Sequence, residues 1–457
     1  MASTLVESPS ARLRRAGTAL HRLTPPAVLA AIAAGAAAVL LLWLHDTPPT
    51  LHTPGDYLTA SGRITGLLAG YAVVVLVLLM ARLPLLERRV GADRLARWHA
   101  FGARYTVSLI VAHALLITWG YALAAHASPV AEAGTLLASY PDVLMATVGT
   151  GLLLVVGIVS ARAARRRLRY ETWYYLHLYT YLAIALAFAH QFATGADFVS
   201  NQPARVLWAT LYLGAAVLLV WYRIVVPARS AARHRMTVHD VQRSGRGVVS
   251  VVITGSRLGE LHAQPGQFFR WRFLTRDGWW QSHPYSLSAP AHGDFLRITI
   301  KSLGDHTRAL RLLRPGTKVI AEGPYGAFTA DLRSRRRVLL IAGGIGITPI
   351  RALFESMQSE PGAVDLLYRA NRREELVFAD ELTALGKRRR ARVRFLLGPP
   401  GGVDDPLASR QLTELVPDVR SREVFLCGPP GMVAAATAAL AELGVARRHI
   451  HHESFEL

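Results

Sequence analysis

Two apolar segments of the chain each carry two histidines at nearly the same spacing. The four are His99, His113, His177 and His190. At about 1.5 Å of rise per helical residue, each pair spans roughly 20 Å along its helix. Ionisable side chains inside apolar spans are rare and indicate a functional site. Two helices with two imidazoles each, at matching depths, predict four axial ligands for two stacked haems. The alternative is that these histidines only hydrogen-bond to neighbouring helices.

The elements that must position these histidines are apolar segments long enough to cross a bilayer. Hydrophobic residues make up 51% of the 457 residues, and about twenty residues cross a bilayer core. The pattern predicts six spans: Pro26–Leu44, Ile64–Met80, Trp98–Tyr121, Val143–Ser160, Trp173–Phe192 and Val206–Val226. The histidine spacings are 14 and 13 residues. Fourteen residues come close to a whole number of helical turns, whereas thirteen do not. The fifth helix is therefore expected to carry a bulge, a kink or a strong tilt, or the haems to be laterally offset.

Arginines cluster in the segments on one side of these spans. The clusters are Arg14, Arg15 and Arg22; Arg82, Arg88, Arg89, Arg94 and Arg97; Arg162, Arg165, Arg166, Arg167 and Arg169; and Arg229, Arg233 and Arg235. Residues 122–142, on the other side, contain no Lys or Arg. The positive-inside rule places the basic segments and both termini in the cytoplasm, with the protein in the plasma membrane. His99 and His177 then lie near the cytoplasm, and His113 and His190 near the outside. These loops explain much of the net charge of +21, so no nucleic-acid partner is predicted.

The cysteine content limits the other kinds of metal or redox site. Cys427 is the single cysteine of the chain, which excludes an intramolecular disulfide framework and a thiolate-bound iron–sulfur cluster. No Cys/His cluster has the spacing of a zinc site. The histidine quartet therefore provides the metal ligands that the sequence predicts.

After Pro227 the pattern changes to short strands and turns. Val248–Thr254, Gln267–Phe273 and Leu296–Ile300 predict an antiparallel barrel over about residues 235–330. Further strands alternate with helical stretches such as Ile350–Met357: they are Arg337–Ala342, Val364–Tyr368, Val393–Leu397 and Glu423–Cys427. That alternation predicts a parallel sheet that binds a nucleotide at the carboxyl ends of its strands.

A glycine-rich segment joins the first of these parallel strands to its helix. It consists of Gly343, Gly344, Ile345, Gly346, Ile347, Thr348 and Pro349. Glycines at such a junction let backbone amides approach a phosphate at the positive end of the helix. The alternative is that they only permit tight packing of the helix on the sheet.

These motifs together carry a resemblance to known families. His283-Pro284-Tyr285-Ser286 resembles the flavin motif of the ferredoxin–NADP reductase family, in the His-Pro-aromatic form of its NADPH oxidase and ferric reductase branch. Gly343–Pro349 and Cys427-Gly428-Pro429-Pro430 are similar to its nicotinamide-nucleotide motifs. The membrane half resembles the ferric reductase transmembrane domain, with the same histidine spacings. The resemblance covers the chain from about residue 20 onward.

The resemblance implies roles for the flavin residues. Tyr285 would pack on the isoalloxazine and Ser286 would hydrogen-bond near its N5. His283 stands where many relatives place an arginine against the FAD pyrophosphate, so FAD affinity is expected to depend on pH. Three further residues resemble the FAD phosphate segment, although an ordinary strand-to-helix turn is the alternative: Lys301, Gly304 and Thr307. Phe455 resembles a terminal aromatic that covers the flavin.

The resemblance also implies roles for the nicotinamide site. Cys427 would lie beside the nicotinamide C4, although a small buried hydrophobe is the alternative. Arg369, Arg372 and Arg373 follow a strand where a 2′-phosphate would lie, which favours NADPH over NADH. An ordinary solvated charged face is the alternative for these arginines.

The combined resemblance implies a transmembrane oxidoreductase in a lipid bilayer. Electrons would pass from cytoplasmic NADPH or NADH to FAD, then through two b-type haems to an extracytoplasmic acceptor. In the oxygen-reducing branch an arginine and a second histidine line an oxygen pocket. Arg63 matches the arginine, but Ile117 stands at the histidine position, which favours ferric chelates as acceptor. A superoxide-producing NADPH oxidase and a membrane-anchored flavin reductase with a cytoplasmic acceptor are the alternatives.

The predicted fold class is a membrane all-α six-helix bundle holding two haems, followed by an antiparallel β-barrel FAD domain and an α/β Rossmann-like NAD(P) domain. The predicted domains are a cytoplasmic segment at 1–25, the transmembrane domain at 26–226, a linker at 227–235, the FAD domain at 236–332 and the NAD(P) domain at 333–457.

Overall fold

The computed structural model describes residues 25–47, 51–161, 167–168, 170–199, 201–302, 309–398 and 405–454. Gly304, Thr307 and Phe455 lie outside the described residues, and so do seven of the arginines predicted to be cytoplasmic: 14, 15, 22, 162, 165, 166 and 169. The chain forms two compact units, Met1–Ile224 and Val225–Leu457.

The first unit is helical. Its helices are α1 (Pro25–Asp46), α2 (Pro54–Met80), α3 (Pro84–Val90), α4 (Ala92–Ala124), α5 (Pro129–Ser139), α6 (Val143–Ser160), α7 (Tyr170–Ala193), α8 (Ala196–Val199) and α9 (Gln202–Val220). A π-helical turn, Trp221–Val225, continues α9 into α10 (Val226–His234). The histidines lie on α4 and α7.

Five helices of the described part are long and apolar enough to span a membrane. They are Pro25–Asp46, Pro54–Met80, Arg94–Ala124, Val143–Ser160 and Gln202–His234. The predicted fifth span corresponds to α7, a helix of 24 residues that lies outside this group because tyrosines, histidines and a glutamate lower its mean hydropathy. The structure therefore has five apolar helices in this unit, and the count of six spans stays a prediction.

Large apolar side chains cover the outside of this unit. Leu41, Leu207 and Val217 are each more than 60% exposed. In water such a surface would be an aggregation hazard, whereas lipid tails make it favourable. The outward-facing residues thus agree with a lipid environment.

The second unit begins with six antiparallel strands. They are β1 (Thr237–Gly245), β2 (Val248–Thr254), β3 (Phe268–Phe273), β4 (His283–Ser286), β5 (Phe295–Lys301) and β6 (Val319–Tyr325). They form two three-stranded sheets, with orders β1-β2-β5 and β4-β3-β6. Isolated bridges join the sheet edges at Thr237–Lys318 and Leu287–Ile298. Phe269 and Trp271 of β3 are fully buried in the shared core, which fixes β4 and its flavin motif against β3.

A five-stranded parallel sheet follows, as predicted. Its strands are β7 (Val338–Gly343), β8 (Val364–Ala370), β9 (Arg392–Leu397), β10 (Glu423–Gly428) and β11 (Ile450–Ser454), in the order β11-β10-β7-β8-β9. Its helices are α11 (Ile347–Ser356), α12 (Ala379–Arg389), α13 (Ser409–Leu415) and α14 (Pro430–Glu442). All six residues of β7 are buried, because apolar clusters cover both faces of the sheet.

Candidate functional site

The structure brings the four histidines together as two pairs. The ring centres of His99 and His177 lie 6.0 Å apart, and those of His113 and His190 lie 6.4 Å apart. A metal–nitrogen distance of about 2 Å, with about 1 Å more to each ring centre, separates two imidazoles on one ion by about 6 Å. Both pairs therefore fit axial ligation of an iron between them. As predicted, the histidines at matching depths on α4 and α7 pair with each other.

Backbone carbonyls orient three of the four imidazole rings. The Nδ1 atom lies 3.2 Å from the Leu76 carbonyl oxygen in His99, and 2.8 Å from that of Gly62 in His113. In His190 it lies 2.5 Å from the Ala187 carbonyl oxygen. A carbonyl can only accept, so Nδ1 carries the proton in these bonds and Nε2 carries the lone pair. Nε2 is thus the nitrogen that could bind a metal ion.

The ring of His177 is held by side chains. Its Nδ1 lies 3.4 Å from Ser160 Oγ, at the end of α6. Trp173 donates from Nε1 to the same hydroxyl at 3.1 Å and stacks on the imidazole, with ring centres 5.2 Å apart. Sequence reasoning missed Ser160 and Trp173, because neither belongs to a recognisable motif.

The spacing of thirteen residues is not accommodated by a bulge. Helix α7 is uninterrupted from Tyr170 to Ala193, which excludes the bulge among the expected alternatives. The π-helical turn lies after α9 instead. The His190 ring turns back to the carbonyl three residues earlier. A kink or tilt of α7 and a lateral offset of the haems stay predictions.

Glycines on α2 allow α4 to approach closely. A Cβ atom on Gly66 would lie 2.5 Å from His113 Nδ1, and one on Gly62 would lie 2.8 Å from Ile117 Cδ1. Gly70 continues the spacing of four residues but faces Trp208 of α9 rather than α4. Small residues at this spacing are typical of tightly packed membrane helices. The spacing was visible in the sequence and could have identified α2 as the partner of the histidine helix.

Arg63 forms a largely buried ion pair. Its Nε donates to Asp197 Oδ2 at 3.2 Å, and Nη2 pairs with the other carboxylate oxygen. Their side chains are 18% and 4% exposed. Arg63 follows Gly62, whose carbonyl accepts from His113, so this pair belongs to the surroundings of the His113–His190 site. Asp197 was not predicted, and its charge compensates that of Arg63.

The flavin motif contains buried polar atoms that a ligand could satisfy. Among the described residues, Tyr285 Oη and Ser286 Oγ are buried without a hydrogen-bond partner. Burial raises the pKa of the Tyr285 phenol, so the phenol stays neutral. Buried polar groups almost always have partners, and a flavin carries donors and acceptors along one edge. The His283 ring lies parallel to that of Tyr285, with centres 6.4 Å apart.

The other predicted flavin residues lie near the same strands. Pro284 is exposed on β4, and Lys301 is half-buried at the end of β5. These positions fit a cofactor that follows the edge of β4. The rest of the predicted phosphate segment lies outside the described residues.

A tyrosine holds the glycine turn between β7 and α11. Gly344 adopts a φ of +53°, a conformation that favours glycine. Tyr368 Oη donates to the Gly344 carbonyl at 3.1 Å and accepts from the Val377 amide at 3.1 Å. Burial raises the pKa of Tyr368 to about 12. Tyr368 therefore remains a neutral donor that fixes the turn, and sequence reasoning did not identify it.

The two nicotinamide-nucleotide motifs pack directly against each other. A Cβ atom on Gly346 would lie 2.4 Å from the Cys427 carbonyl oxygen, and one on Gly343 would lie 2.3 Å from Met432 Sδ. The packing explanation thus accounts for both glycines. Thr348 Oγ1 donates to the Ile345 carbonyl at 3.1 Å, in the first turn of α11. Four predicted residues continue these turns: Pro349 lies in α11, Gly428 ends β10, Pro429 follows it and Pro430 begins α14.

The Cys427 thiol is fully buried in the core of the parallel sheet. Burial raises its pKa well above the usual value, and Glu453 adds to the effect. A neutral thiol is a poor nucleophile. Its placement at the carboxyl end of β10 is compatible with the predicted nicotinamide contact, which stays a prediction.

The predicted phosphate arginines differ in exposure. Arg369 is buried and donates from Nη2 to the Gly398 carbonyl at 3.3 Å. The Arg372 side chain is 75% exposed, with Nε 3.6 Å from Glu375 Oε1. Arg373 begins a short 3-10 turn. Arg372 is therefore better placed than Arg369 to meet a phosphate arriving from solvent.

Three protein-family profiles match the chain in succession. They are the ferric reductase like transmembrane component over residues 65–188, an FAD-binding domain over 233–329 and an oxidoreductase NAD-binding domain over 340–438. His99, His113 and His177 lie within the first match, and His190 lies two residues beyond its end. The chain belongs to the ferric reductase and NADPH oxidase family. It is a transmembrane oxidoreductase of the flavocytochrome type, with FAD- and NAD(P)H-binding domains.

Individual relatives of this ferric reductase family member match parts of it. Ferredoxin–NADP reductase B of Sorangium cellulosum is 30% identical over 188 residues, which cover 38% of this chain and 77% of that protein. Respiratory burst oxidase homolog protein D of Arabidopsis thaliana is 33% identical over 99 residues, which cover 16% of this chain and 11% of the oxidase. Other curated relatives are matched over about half of their length or less.

Among solved structures, the flavohem-like FAD/NAD binding domain of nitric oxide dioxygenase from Vibrio cholerae aligns with 25% identity and a TM-score of 0.42. This alignment covers 48% of the present chain and 98% of that domain.

Proposed function

We propose that this chain moves electrons from cytoplasmic NAD(P)H through FAD and two b-type haems to an extracytoplasmic acceptor, with ferric iron chelates as that acceptor. The observation that carries the proposal is the pair of histidine–histidine separations, 6.0 Å and 6.4 Å. Helix packing alone does not require two such pairs. Axial ligation of two irons does.

The second unit supplies the binding surfaces for the reductant. FAD, when bound, takes two electrons from a nicotinamide and passes them on singly. Tyr285 and Ser286 would face the flavin, and His283 and Lys301 would face its phosphates. The edge bridges between the two sheets support the predicted barrel. The turn at Gly344 would bind the nucleotide phosphates of NAD(P)H.

The first unit supplies the haem ligands and an insulating environment. His99 with His177 would hold one iron, and His113 with His190 the other. With two imidazoles on each iron, no open position would be left for a substrate to bind the metal, so the outer acceptor would take its electron without binding iron. Cytoplasmic basic segments, a plasma-membrane location and the domain boundaries predicted from the sequence are parts of this proposal.

The choice of acceptor rests on the surroundings of the His113–His190 pair. Ile117 packs toward Gly62 where the oxygen-reducing branch has a histidine. Asp197 neutralises Arg63, so no net positive charge favours superoxide there. Both features support ferric chelates over oxygen. Arg63 is the feature that favours a superoxide-producing NADPH oxidase as the second candidate.

The test is a haem count on the purified chain. We expect a pyridine haemochrome assay to give two b-type haems per chain, and His113→Leu to retain one. His52→Leu, at an exposed histidine before α2, is the control and should retain both. A wild-type protein without haem would instead favour a membrane-anchored flavin reductase with a cytoplasmic acceptor.

A further inference from the structure

A buried cluster of charged side chains joins the flavin-binding strands to the nucleotide-binding helix. It contains Arg297 of β5, Arg351 of α11, Glu381 of α12 and the backbone carbonyl of Ser288, which follows β4. The Arg351 side chain is 5% exposed and that of Arg297 is 16% exposed. Neither arginine belongs to the motifs that identify the cofactor sites.

The two arginines share the same two acceptors. Arg297 Nη2 donates to the Ser288 carbonyl at 2.9 Å, and Arg351 Nη1 donates to it at 3.1 Å. Arg297 Nη2 also lies 3.2 Å from Glu381 Oε1, with which Arg351 Nη2 forms an ion pair. A rigid guanidinium fork suits this double contact, whereas a lysine ammonium offers a single point charge.

The charges in this cluster are balanced, and an aromatic ring packs against it. Glu355, one turn after Arg351 on α11, pairs with Arg351, so two cations face two carboxylates. The Arg297 guanidinium lies over the Phe378 ring, 4.8 Å from its centre. Burial is the largest effect on the pKa of Arg297, which is lowered, with Arg351 adding to it and Glu381 opposing it.

The positions along the chain give this cluster its significance. Ser288 lies two residues after Ser286 of the flavin motif. Arg351 lies on the helix that begins directly after the glycine turn. Its guanidinium therefore connects the strand expected to hold the flavin with the helix expected to hold the nucleotide, across 63 residues of sequence.

We propose that Arg351, with Glu381, is a positioning residue that sets the distance between the flavin and nicotinamide sites. This inference rests on the proposed function, since it assumes NAD(P)H reduction of FAD. Hydride transfer demands close, aligned reactants, and a displacement of about 1 Å can cost about a hundredfold in rate. Because the Arg351 side chain is only 5% exposed, it would act through β4 and α11 rather than on a reactant.

The test measures flavin reduction by NADPH in the full-length holoprotein, anaerobically and in a single turnover. We expect Arg351→Met and Glu381→Gln each to slow reduction about tenfold. FAD content and NADP⁺ affinity should stay within twofold of wild type, and the flavin–nicotinamide charge-transfer absorbance should weaken. Arg392→Met is the matched control, because Arg392 pairs with Asp365 inside the parallel sheet, and it should reduce at the wild-type rate.

Two results would overturn the inference. One is wild-type reduction rates in both variants with FAD retained. The other is a rate that falls only in proportion to lost FAD in both variants, since that indicates a purely structural cluster. If neither NADPH nor NADH reduces the flavin of the wild-type protein, the proposed function itself is contradicted. The two failures are therefore distinguishable.

Discussion

The hydrogen-bond partners of single side chains separate residues that look equivalent in the sequence. Arg369 and Arg372 lie three positions apart, yet one donates to a backbone carbonyl inside the protein and the other extends into solvent. The four histidines likewise differ in what holds Nδ1. Residue type alone therefore gives a set of candidates, and the contacts of each residue assign the roles.

Arg372 carries a prediction about nucleotide preference. We expect Arg372→Gln to raise the KM for NADPH about tenfold or more, because a hydrogen bond to a charged phosphate contributes about 1.5–3 kcal/mol. The KM for NADH should not change, since NADH lacks the 2′-phosphate. Steady-state oxidation of both nucleotides with a soluble dye measures this. Arg410→Gln, an exposed arginine paired with Glu414, is the control. Equal changes for both nucleotides would contradict the assignment.

At the scale of elements, two contacts between neighbouring elements hold functional helices and strands in place. The glycine face of α2 receives the His113 ring. In the parallel sheet, Glu423 of β10 is fully buried and accepts hydrogen bonds from Ser334 and from His451 of β11. Each contact joins elements that are separate in sequence, and each is sensitive to one substitution.

The α2 contact predicts a sharp difference between two glycines. Gly66→Ala would place a methyl group 2.5 Å from His113 Nδ1, and overpacking of this kind costs about 1–3 kcal/mol. We expect the haem content to fall from two towards one. Gly151→Ala on α6 is the control, because a Cβ atom there meets nothing within 4 Å. Identical haem contents in the two variants would refute the α2–His113 packing.

The β10–β11 contact predicts a pH dependence of local stability. Burial raises the Glu423 pKa, but hydrogen bonds from His451 and Ser334 outweigh this, and the pKa lies below its usual 4.5. A lowered pKa stabilises the fold above the unfolded-state value, and this stabilisation is lost as pH falls through the folded-state value. We expect Glu423→Gln to destabilise β11 by about 1–3 kcal/mol at pH 7.

The difference between Glu423→Gln and wild type should shrink as pH falls below 4.5. Hydrogen exchange of β11, compared between the two proteins at each pH, measures it. Glu414→Gln, at an exposed glutamate, should not differ from wild type at pH 7 or below pH 4.5. A difference that grows on acidification would show that the sign is wrong.

At the scale of the whole molecule, the arginine distribution is asymmetric along the chain. Arg82, Arg94 and Arg97 lie between α2 and the apolar part of α4, whereas residues 122–142 carry no Lys or Arg. The positive-inside rule predicts that His99 and His177 lie near the cytoplasmic side of the membrane. The proposed function then requires that electrons cross the membrane.

Direction and acceptor are tested in proteoliposomes with the reductase domains facing outward. Added NADPH should reduce a ferric chelate trapped inside, and reduction should persist without oxygen, with superoxide a slower side product. His190→Leu should abolish transmembrane reduction, whereas His52→Leu should not. The acceptor assignment fails if superoxide accounts for nearly all electrons. The mechanism fails if His190→Leu reduces the chelate at the wild-type rate.

Much of the fold was predictable because its signals are local. Histidine spacing on apolar segments, strand–helix alternation and the glycine turn involve residues close together in the chain. The predicted bounds of β2, Val248–Thr254, agree with the structure. Of the alternatives expected for α7, the structure excludes a bulge, because helical periodicity indicates a mismatch without showing how it is accommodated.

The tertiary structure alone decided which partners surround these residues. The carbonyl that orients His113 lies 51 residues away, and the carboxylate that neutralises Arg63 lies 134 residues away. Tyr368 reaches Gly344 from the neighbouring strand. Such contacts leave no periodic signal, because they arise only when separate helices and strands pack. The sequence by itself therefore determined the candidate cofactor residues, and packing determined how each one is oriented and which partners surround it.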